Sequence, residues 1–288
     1  MNYFKQSVLA GYYWATLPAR RRAATDRAAQ ACEPVQILFY HRVADEHPNG
    51  WTMSTQAFAK QIDWLRERFD LVSMAEAQAR ISAGRNSRPT VCITFDDGYA
   101  DNMRFAVPLL LKHKIAFTYF VATDHVLGGR PFPHDVASGR PLAPNTVKQL
   151  CEMAEAGVEI GGHTRSHADA GRISGYDLAH EIAGCKRDLE KTIDCKVRYF
   201  AFPYGQHRNL STEAFRVALE AGYHGVCSAY GGYNFPGDDA FHLRRIHADP
   251  ELVRLKNWLT VDPRKMRNQC DFVPGDYQKK NTHAMAVN

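Results

Sequence analysis

The chain has 288 residues, of which 45% are hydrophobic and 23% charged, and its formal net charge is +5. A chain of this length can form one large α/β barrel or two smaller domains, and it buries enough surface to fold without disulfide bonds. The mild positive charge, with no basic run beside a recognisable nucleic-acid motif, argues against a nucleic-acid-binding protein. The seven cysteines are scattered and include no CxxC pair, so they indicate neither a zinc ribbon nor a disulfide framework.

Residues 1–33 form an N-terminal segment with a pattern of its own. About a dozen apolar and aromatic residues precede the three arginines at 20–22, and this run is shorter than the roughly twenty apolar residues that a membrane span needs. The charge follows the apolar part, whereas a secretory signal peptide has it first, so no cleavable signal is predicted. A packing arm and an interfacial membrane anchor, with the aromatic residues 12–14 at the lipid headgroups, both remain open. The expected location is the cytoplasm or the membrane surface.

From residue 34 onward, short apolar runs alternate with amphipathic stretches. The apolar runs predict strands at 35–40, 91–95, 116–121, 158–163, 197–205 (a strand and its turn) and 224–229. The amphipathic stretches predict helices at 58–69, 102–114, 145–157, 176–193, 211–223 and 251–259. This alternation is typical of a parallel α/β fold, either a barrel or a doubly wound sheet. We therefore expect one catalytic domain over residues 34–268, followed by a polar tail at 269–288.

Several polar residues follow the predicted strands, where a parallel barrel has its active site. Asp96 and Asp97 come directly after one strand, and two adjacent carboxylates repel each other unless positive charge lies beside them. A solvated Asp-Asp-Gly turn is the simpler interpretation of this pair taken alone. His163 and His167 follow another strand, and with one aspartate they would make a metal site that keeps an open position for water.

Two histidines and one carboxylate also suit a non-haem iron oxygenase. The second, neighbouring aspartate and the placement after the strands of a parallel fold favour a hydrolase instead. Both classes remain open from these residues taken alone.

Three stretches carry a resemblance to a known family. TFDDG (94–98), HTRSH (163–167) and RYFAFPYG (198–205) resemble the first three motifs of the polysaccharide deacetylase (NodB-homology) family. The similarity extends from LFYHRV (38–43) to RRIHAD (244–249). It implies a distorted (β/α) barrel, here with about seven parallel strands. It also implies a divalent metal, usually Zn²⁺ but with other transition metals open, and hydrolysis of the N-acetyl groups of hexosamine units.

The resemblance also implies roles for individual residues. Asp97, His163 and His167 match the metal ligands, and Asp96 matches the catalytic base. Arg198 matches the arginine that holds this base in place. Tyr204 matches the residue whose backbone N–H helps to bind the oxyanion.

The chain departs from the family pattern in the region that supplies the general acid. The family has an Asp-rich motif that ends in tryptophan, but here Asp238 and Asp239 are not followed by tryptophan and are interpreted as loop residues. The missing tryptophan removes a wall of the expected substrate groove. His247, after RRI, is the candidate acid, and His41 and His242 are the competing ones.

Substrate contacts are expected from Tyr99, Tyr204 and His41. The loops at 124–144 and 229–241 are expected to set specificity, because binding residues concentrate on loops. The predicted function is a metal-dependent N-deacetylase of an N-acetylated saccharide, in envelope or exopolysaccharide metabolism. A saccharide-binding protein without activity, or a hydrolase of another C–N amide bond, is the alternative.

Overall fold

A computed structural model describes residues 3–278, so residues 279–288 of the predicted tail lie outside the described part. Eleven strands occur in this part: β1 (Val35–Tyr40), β2 (Arg42–Val43), β3 (Thr52–Met53), β4 (Asp70–Val72), β5 (Thr90–Phe95), β6 (Phe117–Val121), β7 (Glu159–Gly162), β8 (Tyr199–Ala201), β9 (Gly225–Cys227), β10 (His242–Leu243) and β11 (Arg245–His247).

The helices of the same part alternate with the strands along the chain. They are α1 (Tyr3–Ala29), α2 (Thr55–Arg66), α3 (Met74–Ser82), α4 (Ala106–Lys112), α5 (Thr123–Gly128), α6 (Pro133–Ala137), α7 (Val147–Glu155), α8 (Gly175–Ile193), α9 (Thr212–Glu220), α10 (Leu252–Leu259) and α11 (Pro263–Arg267). Each predicted helix and strand therefore has a counterpart. The sequence patterns did not assign the 27-residue helix α1, and they also missed short elements such as α3, whose N-cap Ser73 accepts a hydrogen bond from the Glu76 amide.

The strands of the main sheet are parallel and run in the order β10-β9-β8-β7-β6-β5-β1-β11, with β4 also paired to β5. The two ends of this order, β10 and β11, are separated along the chain by Arg244 alone. One short segment thus pairs with β9 through its first half and with β1 through its second, which nearly closes a barrel. The prediction of a distorted (β/α) barrel is confirmed, and the path holds eight strands rather than about seven.

Both faces of the barrel strands are buried, as expected for a parallel sheet covered by helices. All six residues of β1 and all six of β5 are buried. Side chains alternate along a strand, so Val35 and Ile37 join a cluster that α3 enters, while Leu38 and Tyr40 belong to the larger cluster that includes helix residues. This alternation fixes which strand residues point toward the interior of the barrel.

The N-terminal segment is mostly helix α1, which packs against α10. Tyr13 and Arg20 are buried, and the Arg20 guanidinium donates hydrogen bonds to the Asn257 side chain (2.8 Å) and to Thr260 Oγ1 (3.0 Å). Trp14, by contrast, is exposed. No helix within residues 3–278 is both long and apolar enough to span a bilayer. Contact of this segment with a membrane surface, and the domain boundaries, stay predictions.

Candidate active site

The first aspartate after β5 is held by a buried arginine. Arg245 donates to Asp96 through two parallel hydrogen bonds, Nη1 to Oδ1 at 2.6 Å and Nη2 to Oδ2 at 2.8 Å. Its remaining hydrogen bonds go to Thr94 Oγ1 and the Ser228 carbonyl, and its side chain has no exposed surface. Burial raises the pKa of the Asp96 carboxyl, but the Arg245 charge and its hydrogen bonds outweigh this, so the pKa is lowered. Asp96 is therefore a fixed carboxylate.

The second aspartate faces two histidines. Asp97 Oδ1 lies 3.4 Å from His163 Nε2 and 3.3 Å from His167 Nε2. One potential ligand atom from each residue lies within 4.8 Å of the others. Burial raises the pKa of the Asp97 carboxyl and the two imidazoles lower it, with a net result well below the usual range.

These residues fit a divalent metal ion. Asp97 Oδ1 is buried and makes no hydrogen bond among the described residues, which is rare for a carboxylate oxygen. The Nδ1 of His163 lies 2.7 Å from the Ala201 carbonyl, so Nδ1 carries the proton and Nε2 presents a lone pair toward Asp97. Two nitrogen ligands and one oxygen ligand leave a position open, as in catalytic zinc sites.

Neighbouring elements fix the two histidines. His163 continues from β7, where Gly162 is required because a Cβ there would lie 2.5 Å from the Tyr223 hydroxyl. His167 follows a loop that Glu181 of α8 holds from outside. The Glu181 carboxylate accepts from the Arg165 amide (2.8 Å), the Ser166 amide (2.9 Å) and the Ser166 hydroxyl (2.8 Å).

The backbone around this site is strained. Nine described residues other than glycine have positive φ, and four of them are Asp97 (75°), Thr164 (60°), His167 (62°) and Tyr204 (61°). Aspartate tolerates this region, but a β-branched threonine rarely adopts it. Such a conformation costs on the order of 1–3 kcal/mol per residue and persists where the surrounding structure imposes it, often at functional sites.

An open cavity of about 490 Å³ lies over these carboxylates and imidazoles. It is lined by Phe39, His41, Trp51, Asp96, Asp97, His134, His163, His167, Phe202, Tyr204, Gln206, Ala229 and His247. The structure thus places most of the predicted site residues in one cavity at the carboxyl edge of the barrel. Tyr204 is largely exposed there, and its backbone N–H takes part in no hydrogen bond within residues 3–278.

Two of the three candidate acids lie in this cavity. His247, at the end of β11, is partly exposed, and its Nδ1 lies 3.6 Å from Asp249 Oδ1. The ring of His41 lies 6.3 Å from that of His247, and burial lowers the pKa of His41. His242 lies elsewhere, buried beside Phe215 and Ser228, where burial lowers its pKa to about 3.

The prediction that Arg198 holds the base is wrong. Arg198 precedes β8 and pairs with Glu159, the first residue of β7, so it lies at the amino end of the barrel. Asp96 lies at the opposite end, after β5. Arg245 supplies the guanidinium instead, since β11 pairs with β1 and brings this residue into the interior.

The expectation that Tyr99 contacts substrate is also wrong. Tyr99 is fully buried and packs against Phe132. Its hydroxyl donates to Asp135 Oδ2 at 2.9 Å and lies 3.1 Å from His134 Nε2. Tyr99 thus supports the loop that carries His134 and does not line the cavity.

Three residues at or around the site were missed by sequence reasoning. Arg245 could have been found, because it stands two residues before His247 on one strand, and residues two apart share a face. Glu181 and Trp51 gave no comparable signal, since each reaches the site from a distant part of the chain.

Comparisons with known proteins agree with this geometry. The sequence model for polysaccharide deacetylases matches residues 83–226, which is half of the chain. This chain belongs to the polysaccharide deacetylase family. The matched part includes Asp96, Asp97, His163, His167 and Tyr204, and the resemblance noted in the sequence is confirmed.

Two curated relatives are similar at low identity. The Bacillus subtilis protein YxkH is 24% identical over 218 residues, which cover 75% of this chain and 72% of that protein. The poly-β-1,6-N-acetyl-D-glucosamine N-deacetylase of Staphylococcus epidermidis is 28% identical over 192 residues, which cover 58% of this chain and 64% of the relative.

Two solved structures superimpose on most of the chain. IcaB from Ammonifex degensii matches with a TM-score of 0.67 and 25% identity, over 80% of this chain and 98% of that one. The Streptococcus pyogenes deacetylase PplD, solved with acetate, also has a TM-score of 0.67, at 22% identity over 81% of this chain and its own full length. The second likeness shows the shared fold.

Proposed function

We propose that this protein is a zinc-dependent N-deacetylase of hexosamine units in a polysaccharide or glycoconjugate. One observation carries the proposal. A hydrogen-bond-free carboxylate oxygen of Asp97 faces His163 and His167, and the arginine-held Asp96 stands directly beside it in the same cavity. A saccharide-binding protein without activity would have no need for a second carboxylate fixed next to a metal site.

Each residue of the site has a separate proposed role in the hydrolysis. Asp97, His163 and His167 would hold a zinc ion, which would supply the Lewis acidity that polarises the acetyl carbonyl and activates water. Asp96 accepts the proton of the attacking water, and Arg245 keeps this carboxylate ionised and correctly turned. The free N–H of Tyr204 donates to the oxygen on which negative charge develops, a contribution of roughly 3–4 kcal/mol for one well-placed donor.

His247 is the proposed general acid. Its ring borders the cavity, and Asp249 beside Nδ1 leaves Nε2 as the atom that delivers a proton to the departing amine. His41 borders the same cavity but has no carboxylate of this kind at its Nδ1, which is buried without a hydrogen bond among the described residues.

We propose β-1,6-linked poly-N-acetylglucosamine as the first substrate to test, because the Staphylococcus epidermidis relative is named for it. Acetate release from β-1,6-linked oligomers is measured with zinc present, with β-1,4-linked oligomers in parallel. Release from the β-1,6 oligomers, lost in Asp96→Asn while zinc stays bound, is the expected result. Bound zinc without acetate from either polymer would contradict the proposal and favour another amide or a binding role.

A further inference from the structure

An aromatic side chain with no assigned role borders the cavity. Trp51 is 37% exposed, and its ring lies 4.9 Å from the His134 ring at an interplanar angle of 84°. It lies in the segment before β3, far along the chain from the residues that carry the chemistry. Trp51 lines the same cavity as Asp96, Asp97 and the two histidines of the metal-site candidate.

The segment that carries Trp51 is held rigidly by a buried arginine. Arg42 has almost no exposed surface, and its Nε donates to Asp101 Oδ2 at 2.6 Å. Its other donors reach the carbonyls of Glu46 and His47, each at 2.9 Å, and Thr52 Oγ1 at 3.1 Å. The guanidinium thus ties together the chain on both sides of Trp51, so the backbone that carries the indole is held in place before any ligand arrives. Such preorganisation reduces the entropy lost on binding.

The neighbouring rim element, which carries His134, is also fixed. His134 stands next to Asp135, whose carboxylate accepts the Tyr99 hydroxyl, and Phe132 packs on Tyr99. The two aromatic rim residues, Trp51 and His134, therefore come from separate segments, each anchored to the core by a buried polar contact.

The charged residues that line the cavity indicate which class of ligand it binds. None of the described residues that line it is a lysine or an arginine, and its two acidic residues are Asp96 and Asp97. A carboxylate or phosphate on the ligand would find no permanent cation at the rim. A neutral sugar ring instead offers apolar C–H faces to an indole and hydroxyl groups to water.

We infer that Trp51 forms a sugar-binding subsite beside the metal centre, on which a neutral hexosamine residue adjacent to the reacting one stacks. The inference rests on the proposed function and extends it, since it assigns recognition of the neighbouring sugar to a named side chain. It also predicts preference for a neutral N-acetylglucosamine polymer over one that alternates with a uronic acid.

The test compares Trp51→Ala, Trp51→Phe and the control Trp14→Ala, which removes an exposed indole from α1. For Trp51→Ala, KM for neutral N-acetylglucosamine oligomers rises about tenfold with kcat preserved, as expected for loss of one aromatic contact. Trp51→Phe restores most of the affinity, and Trp14→Ala changes neither constant. An unchanged KM in Trp51→Ala, or an equal loss in Trp14→Ala, would overturn the subsite.

Binding in the Asp96→Asn background separates the subsite from the proposed activity. Neutral oligomers are titrated calorimetrically against Asp96→Asn with and without Trp51→Ala, and hyaluronan oligomers serve as the anionic comparison. About tenfold weaker neutral binding without the indole supports the subsite even if no acetate is ever released. If acetate release were normal in the Trp51 variants, the deacetylase assignment would stand and the subsite would be refuted. Tighter binding of hyaluronan than of neutral oligomers would contradict the inferred ligand class.

Discussion

Each end of the barrel carries a carboxylate paired with an arginine, but the two pairs differ in what surrounds them. At the carboxyl end, the side chains of Asp96 and Arg245 are 4% and 0% exposed, and metal-ligand candidates lie beside them. At the amino end, Arg198 and Glu159 are 40% and 15% exposed. A carboxylate–guanidinium pair therefore has a different role at each end of the barrel. The exposed pair adds little stability, whereas the buried pair fixes a charge where a reaction needs it.

Both ends bury polar atoms that lack a hydrogen bond among the described residues, but near α1 two of them, Arg27 Nε and Glu33 Oε1, form an ion pair with each other at 3.3 Å. Near α1, Arg20 donates to Asn257 and Thr260, and Asp262 lies 3.8 Å from it. At the carboxyl end, Asp97 Oδ1 and His41 Nδ1 are buried without a hydrogen bond within the described residues. At the carboxyl end the unsatisfied Asp97 oxygen lies among metal-ligand candidates and positive-φ residues, which is why function is assigned there.

The largest expected effect comes from removing a metal ligand. Asp97→Ala should lose bound zinc and reduce turnover by roughly 10³-fold or more, because the polarising ion is no longer held. Metal content and acetate release are measured on the same protein. The control Asp177→Ala removes an exposed carboxylate from α8 and should change neither quantity. Full zinc occupancy in Asp97→Ala would refute its assignment as a ligand.

Substituting the two arginines tests the comparison directly. Arg245→Leu leaves Asp96 buried and unpaired, so it should cost about 3–5 kcal/mol in the free energy of unfolding and most of the turnover. Arg198→Leu should cost about 1 kcal/mol or less and leave turnover unchanged. Urea unfolding and acetate release measure both.

Arg245→Lys is a second variant for the case in which Arg245→Leu does not fold. It keeps the charge but loses the two parallel hydrogen bonds, so we expect a folded protein with reduced turnover. Equal activity losses at positions 198 and 245 would show that the two ends do not differ as described.

For the general acid, a loss of activity without loss of the metal is expected. His247→Ala should lower kcat by about 10²- to 10⁴-fold, the usual range for general acid–base help, with zinc retained. His242→Ala is the matched control, because His242 is buried outside the cavity and should affect stability without affecting kcat. If His247→Ala kept its full rate, the acid role would pass to His41.

The smallest effect on activity is expected at the amino end. Arg20→Met removes hydrogen bonds to Asn257 and Thr260, which should cost about 1–3 kcal/mol in stability because buried acceptors lose their donor. Thermal unfolding should shift while kcat and KM stay the same. A change in kcat without a change in stability would connect α1 to the active site.

Local patterns in the sequence predicted the strands and the cluster of Asp97, His163 and His167 well, because each depends on short runs of residues. The strand ending at Phe95 and the pair after it are contiguous, and so is the loop from His163 to His167. The spacing of Arg245 and His247 was a local signal that was overlooked, but the contact of Arg245 with Asp96 depends on the pairing of β11 with β1, which no local pattern encodes. Tyr99 was misassigned for a similar reason, since its burial against Phe132 results from tertiary packing.

The central claim is tested most directly by measuring metal content and acetate release together on the unmodified protein. The account predicts about one equivalent of zinc. Acetate release from N-acetylglucosamine oligomers should be abolished by a chelator and restored by added zinc. Acetate release that persists after the metal has been removed would contradict it, as would a chain that binds no divalent metal.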